Sequence, residues 1–337
     1  MLSKSPRAPV CGKGSRPPDS TFCKSMAKWF KIGVALGGGG ARGLAHLGVL
    51  CALEQAKIPI DLLAGTSMGA LVGAAYALTP QCYFVAERFA RYLESKEFQK
   101  TNPDFLREPD QETKPTFTGI FHRFATFIKK GVFYAQSLTR QAPISEEDFI
   151  QNINFLLDPV NMETTAIPLA VVALDLKTGE EVVLREGALQ KAVSASCAIP
   201  GILPPVIMGD KCLVDGGWIN RVPVGPLRKM GADLTIAVDV AEGINESLDF
   251  DTGLDIVLRT YDITQSSLSQ LQLKEADIVI RPSLAGIRWA DFHRFEECLK
   301  AGEEAAGERL DEIRSLTRRK KMKKALSFRG CLSASRS

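Results

Sequence analysis

The sequence predicts an α/β fold built on a mainly parallel sheet with helices on both faces. Three observations carry that expectation. Two short apolar runs near the start each end in a glycine turn that opens a helix-like segment. Neither run alternates polar with apolar, as a sheet wetted on one side would. The same rhythm of strand and helix returns after residue 155.

Ile32 to Leu36 is the first buried strand and runs into four glycines. Ala41 to Gln55 follows with Leu44, Leu47, Leu50 and Cys51 at helical spacing. Ile60 to Ala64 is the second strand, then Gly65-Thr66-Ser67-Met68-Gly69 and a small-residue helix through Leu78. Residues 82–155 read as a mostly helical insertion broken by prolines, with Phe117, Phe121, Phe124, Phe127 and Phe133 clustered in it. It is placed to cover a site, although ordinary helix packing explains any single one of these rings. Leu169 to Leu174 and Glu181 to Leu184 read as strands around a turn at Asp175, and Ala188 to Ala195 as a helix. Lys211 to Val214 is a strand ending in Asp215-Gly216-Gly217. Leu234 to Val240 and Asp277 to Ile280 are further strands, and Asp291 to Ile313 one long amphipathic helix. No repeat of 20–50 residues is present.

Composition narrows the function classes. The 337 residues are 45% hydrophobic and 24% charged, enough for a large core. The net charge of +3 is uneven. Residues 1–30 hold six basic side chains against Asp19, and residues 318–337 hold eight with no acid, which leaves the body at −10. A nucleic-acid binder would carry its basic stripe on the folded body, so no nucleic-acid partner is expected. The basic ends read as solvated arms, with transient contact to an anionic membrane surface as the alternative. Eight scattered cysteines without CxxC spacing read as reduced thiols, hence a cytoplasmic protein, peripheral at the membrane if the arms engage it. Neither a signal peptide nor a spanning stretch is expected. No metal site and no cofactor are expected, because HExxH and aspartate-rich calcium loops are missing from the sequence.

The chemistry gathers at three places. Gly65-Thr66-Ser67-Met68-Gly69 fits G-x-S-x-G, in which a tight strand-to-helix turn lifts the Ser67 hydroxyl clear of the backbone while Gly65 and Gly69 tolerate close approach. The helix start brings amide groups toward a developing oxyanion. Gly37-Gly38-Gly39-Gly40-Ala41-Arg42-Gly43 is a second turn with bare amides. It is either an oxyanion hole for Ser67 or a dinucleotide fingerprint, G-x-G-x-x-G from Gly38. The fingerprint requires an acid at the far end of the next strand. Asp61 stands at its start instead, where the oxyanion reading accounts for both loops. The third place is the base. His46 and His122 read as structural, and His293 sits in a helix start, poorly set for a Ser67-Asp215-His293 triad. Asp215 ends a buried strand beside two glycines and is placed to take the Ser67 proton directly. Asp175 reads as a turn former, and Asp239 lacks a glycine pair.

Taken together, Gly38-Gly39-Gly40-Ala41-Arg42-Gly43, Gly65-Thr66-Ser67-Met68-Gly69 and Asp215-Gly216-Gly217, in that order, resemble the patatin-like phospholipase family in its compact bacterial form. The resemblance extends over about residues 30–310 and includes Ser194 to Gly201 and Asn220 to Val224. It implies a three-layer α/β/α sandwich, a Ser67–Asp215 dyad, oxyanion amides from Gly38, Gly39 and Gly40, and hydrolysis of lipid acyl esters. Arg42 matches a basic position of the glycine loop and either holds that loop or favours anionic lipid. The expected organisation is an N-terminal arm over 1–27, a hydrolase domain over 28–316 with core motifs in 32–228 and the insertion at about 82–155, and a basic tail over 317–337.

Overall fold

Residues 30–101, 144–241 and 253–334 are described in the computed structural model of the chain. The phenylalanines expected to cluster at 117–133, His122 and the N-terminal arm lie outside them.

Eight strands form one sheet: β1 Ile32–Leu36, β2 Leu62–Thr66, β3 Leu169–Asp175, β4 Glu181–Leu184, β5 Val206–Met208, β6 Lys211–Asp215, β7 Leu234–Val238 and β8 Ile278–Ile280. The order β3-β2-β1-β7-β8 is parallel throughout. β4 and β6 pair with β3 antiparallel, and β5 extends β6. The ten helices among the described residues are α1 Ala45–Gln55, α2 Met68–Leu78, α3 Cys82–Leu93, α4 Lys96–Thr101, α5 Glu146–Leu156, α6 Leu189–Cys197, α7 Val224–Lys229, α8 Gly253–Leu273, α9 Phe295–Gly307 and α10 Leu310–Ala334.

All residues of β1, β2 and β7 are buried, which requires cover on both faces. One face carries a row of alanines in register, Ala237, Ala35, Ala64 and Ala170. Val224 and Leu227 of α7 and Leu273 of α8 close over that row. On the other face Leu36 meets α2 at Gly73. The result is the three-layer α/β/α arrangement the motifs implied. α1 and α9 cross so closely that a β-carbon on Gly48 would collide with the Leu299 carbonyl, and one on Gly302 with the Ala45 carbonyl.

β3 determines where the site forms. β4 pairs with Val171 to Leu174 on one edge of β3. That leaves the other edge to β2 as far as Val172 and to β6 from Ala173. β2 runs parallel to β3 and β6 antiparallel, so their carboxyl ends meet head-on at adjacent register positions.

Several expectations need correction. β2 begins at Leu62 rather than Ile60, because the Asp61 carboxylate turns to accept the Ile32 amide at 2.8 Å. The helix expected from Ala41 opens instead as a 3-10 turn over Gly40–Leu44. The helix expected over Asp291 to Ile313 is a 3-10 turn at Phe292–Arg294, then α9, then a break before α10. The tail boundary at 317 falls inside α10, which is helical rather than a loose arm. Lys320 pairs with Asp277 at 2.6 Å and Lys324 with Asp233 at 2.6 Å, fastening α10 under the amino ends of β7 and β8. The thiols are not all reduced. Cys51 and Cys82 form a disulfide because the end of α1 and the start of α3 lie together, with Cα atoms 5.1 Å apart across a spacing that gives no hint of it. Cys197, Cys212 and Cys298 are free.

Candidate active site

Ser67 sits between β2 and α2 with φ of 54° and ψ of −126°. A non-glycine residue held there stores roughly 1–3 kcal/mol of strain, which the surrounding packing must overcome. Gly69 is part of that packing: a β-carbon there would collide with the Leu36 carbonyl. The Ser67 amide donates to Ser196 Oγ at 2.9 Å, and that hydroxyl donates to the Val172 carbonyl at 2.6 Å. Ser196 thereby ties the elbow to β3.

Asp215 arrives from β6 with its amide donating to the Ala198 carbonyl at 2.9 Å. Its carboxylate accepts from the Gly217 amide at 2.7 Å and lies near enough to the Ser67 hydroxyl for that group to favour its ionised form. Burial drives its pKa up to about 6, although the Ser67 hydroxyl, the Gly217 amide and the Arg221 charge all favour the ionised form. Ser67 and Asp215 are 7% and 5% exposed. This carboxylate is shielded, is in contact with a hydroxyl, and titrates close to neutral pH.

The glycine loop divides by its hydrogen bonds. The Gly37 amide donates to the Val238 carbonyl at 3.1 Å and the Gly38 amide to the Arg221 carbonyl at 3.0 Å. The Ala41 amide donates to the Trp289 carbonyl at 2.7 Å. Gly38 is therefore not available as an oxyanion donor, contrary to the expectation that grouped it with Gly39 and Gly40. Among the described residues no protein acceptor takes the Gly39 and Gly40 amides. Gly40 has φ of 57°, and a β-carbon there would strike the Trp289 carbonyl, so only glycine fits. Arg42 is buried and its charge acts on the Cys298 thiol, which suits support of the loop better than contact with solvent-borne lipid.

Gly40, Ser67 and Met68 border a cavity of about 140 Å³ whose wall is almost wholly apolar. Tyr92 and Phe98, from α3 and α4, and Phe149 and Ile153, from α5, form its far side. The helices flanking the undescribed part of the insertion thus wall the cavity.

The other candidates fall away from this point. Asp61 lies at the amino edge of the sheet, opposite the glycine loop, so the dinucleotide fingerprint lacks its acid. His293 is exposed near Glu297, whose carboxyl the Arg294 guanidinium holds low. Asp175 serves its turn, accepting from Lys177 N and Cys212 N at 3.1 Å each. Asp239 pairs with Arg281 at 3.1 Å. Sequence reasoning passed over Ser196, Arg221 and Trp289. Ser196 and Arg221 left a trace, lying in the Ser194 to Gly201 and Asn220 to Val224 segments that carried the resemblance, whereas Trp289 left none.

A family model for patatin-like phospholipases matches residues 34–228. An uncharacterised NTE family protein of Mycobacterium tuberculosis is 32% identical over 210 residues, 62% of this chain and 49% of that one. Human patatin-like phospholipase domain-containing protein 6 is 32% identical over 223 residues, 66% of this chain and 14% of that one. VipD from Legionella pneumophila, a solved structure, superposes with a TM-score of 0.43 at 14% identity, covering 84% of this chain and 67% of VipD. The chain spans about half the length of the mycobacterial relative and a small part of the human one. Because the family match covers more than half of the sequence and takes in all three motifs, the chain belongs to the patatin-like phospholipase family.

Proposed function

We propose that the protein is a serine acyl hydrolase of lipid esters, of phospholipase or lysophospholipase type, working through Ser67 and Asp215. The observation that carries this is the Ser67 hydroxyl held against a buried carboxylate at the edge of an apolar cavity. The cavity suits an acyl chain, and the glycine loop suits the oxygen that becomes negative. A relative from Coccidioides immitis, 27% identical over 315 residues, is named a lysophospholipase, which supports a monoacyl lipid as one substrate.

In this reading Asp215 takes the Ser67 proton as Oγ attacks the ester carbonyl carbon. The carbonyl oxygen becomes an oxyanion facing the Gly39 and Gly40 amides. Collapse breaks the ester bond, and the departing alcohol leaves with the proton from Asp215. Water then attacks the acyl-Ser67 ester, giving its proton to Asp215, and the carboxylic acid is released as Ser67 regains a proton. Neither a metal nor an organic cofactor has a part in these steps.

Fluorophosphonate is expected to label Ser67, and Ser67→Ala to abolish both labelling and ester hydrolysis. A panel of diacyl phospholipids, monoacyl phospholipids and short esters tests the substrate class. Full hydrolysis by the Ser67→Ala protein would remove the proposal.

We also propose peripheral contact with anionic lipid through α10. Among the described residues no helix is long and apolar enough to cross a membrane. α10 exposes Arg318, Arg319 and Lys323 beside Met322 and Leu326, a basic face with apolar residues within it. Because α10 is fastened at the amino edge and Ser67 lies at the carboxyl edge, such contact tethers the protein without pressing the cavity onto the bilayer. Co-sedimentation with phosphatidylserine vesicles is expected to fall steeply between about 50 and 500 mM salt, over which the Debye length shrinks about threefold. Equal sedimentation with neutral vesicles would refute the contact.

A further inference from the structure

His46 is the one histidine among the described residues that is wholly buried, and the dyad chemistry does not use it. It is the second residue of α1. Its Nε2 lies 2.7 Å from the Gly37 carbonyl oxygen. A carbonyl can only accept, so Nε2 carries the proton. Nδ1 has no hydrogen-bond partner among the described residues, which is tolerable for a lone pair and costly for a second N–H. Burial agrees, taking the pKa down to about 4, even though the Asp239 carboxylate, paired with Arg281, favours the charged ring. The ring is a neutral, fixed donor rather than a base.

What it holds is one peptide unit. The Gly37–Gly38 peptide has its carbonyl taken by His46 and its N–H by the Arg221 carbonyl. The next two amides, Gly39 and Gly40, are those without a protein acceptor among the described residues, and the following one is tied to Trp289. The loop is thus pinned immediately before and after this pair, of which Gly40 borders the cavity together with Ser67. Glycines have little intrinsic resistance to rotating a peptide about its flanking bonds, so the pins must supply the orientation.

We infer that His46 is a positioning residue for the oxyanion donors: by donating Nε2–H to the Gly37 carbonyl, it fixes the peptide plane from which the Gly39 and Gly40 amides are aimed. This rests on the hydrolase reading above. It also gives the neutral ring a reason to be buried beside a loop whose carbonyl would otherwise be unpaired.

The geometry permits a specific test. A glutamine amide nitrogen reaches about as far as Nε2, whereas an asparagine amide nitrogen corresponds to Nδ1 and falls short. His46→Leu and His46→Asn are expected to lower kcat on a short-chain ester about 10- to 100-fold, less than the roughly 10²–10³-fold of removing an oxyanion donor outright because the donors are misaimed rather than lost, with KM nearly unchanged. The fluorophosphonate labelling rate should fall in parallel, and His46→Gln should recover most of both. The acid limb of the pH profile near 6 should remain in every variant, because it belongs to Asp215. Where His46→Leu fails to fold, the comparison of Gln with Asn carries the test. Amide hydrogen exchange over residues 37–44 reads the same pin without turnover, rising in the Asn variant and not in the Gln variant. If wild-type protein hydrolyses no ester, the hydrolase reading fails, while the exchange result still judges the pin. Equal activity and equal exchange in the Gln and Asn variants would overturn the inference, as would loss of the acid limb on replacing His46.

Discussion

Asp215→Asn is expected to reduce kcat/KM by about 10³–10⁴-fold, the upper part of the range for a lost general base, and at the same time to raise the melting temperature. The two effects share one cause. The Asp215 carboxyl is buried, and its folded-state pKa is about 6 against an ordinary 3.8. A raised carboxyl pKa means that the folded protein holds its proton more tightly than the unfolded chain does. The contribution of this group to stability is therefore greatest below about pH 4, declines as pH rises toward 6, and is level above that. The gap of roughly two pH units corresponds to about 3 kcal/mol at most by neutral pH. Asparagine fills the same space without a charge, so it escapes that cost. Calorimetry at pH 7 should show the variant melting several degrees higher, and the difference should narrow by pH 4. Wild-type kcat/KM should fall tenfold per unit below pH 6. Undiminished hydrolysis by the variant, or a lower melting temperature at pH 7, would contradict this account.

Gly302→Ala is expected to destabilise the fold, against the usual gain of about 1 kcal/mol when alanine replaces a helical glycine. At this position the new β-carbon meets the Ala45 carbonyl of α1. That obstacle is backbone and cannot change rotamer. α1 and α9 must separate, at a cost of about 1–3 kcal/mol for overpacking, so the melting temperature should fall by several degrees. Ala45 directly precedes His46 in α1, so activity should fall further than the lost stability explains. Chemical denaturation and a kcat measurement on the folded fraction check both parts. A variant as stable as wild type would show that the crossing has slack.

The placement of most of the candidate site was legible because its residues stand in backbone turns that glycine marks. Both loops, the elbow and the Asp215 strand end stand where the sequence put them, since only glycine permits such close approach and few segments place glycine directly after a buried strand. What was not legible depends on contacts between distant residues. Nothing near Gly38 shows that its amide is engaged by the Arg221 carbonyl, and nothing near Cys51 shows that Cys82 will lie beside it. The start of β2 was misplaced because Ile60 is apolar enough for a strand, whereas the Asp61 carboxylate closes the turn onto Ile32. The basic run after residue 317 read as an arm because its pattern is polar. Its fixed position comes from Asp233 and Asp277, two acids at strand starts that only the folded sheet brings together.

The meeting of β2 and β6 along one edge of β3 makes the spacing of the proposed nucleophile and base a matter of counting rather than of loop shape. Thr66 pairs with Val172 and Asp215 with Ala173, so the two carboxyl ends are set one ladder step apart. Ladder steps come in whole residues. The insertion at about 82–155 lies outside β2, β3 and β6 and can therefore lengthen, shorten or be rebuilt without altering that step, which in the proposed reading leaves it free to diverge toward new substrates. A slip of β6 by a single residue, by contrast, would put Val214 or Gly216 opposite Ala173 and remove the carboxylate from the serine altogether. In the proposed reading, substrate range and catalytic competence reside on separate parts of the chain, the first open to gradual change and the second all-or-none.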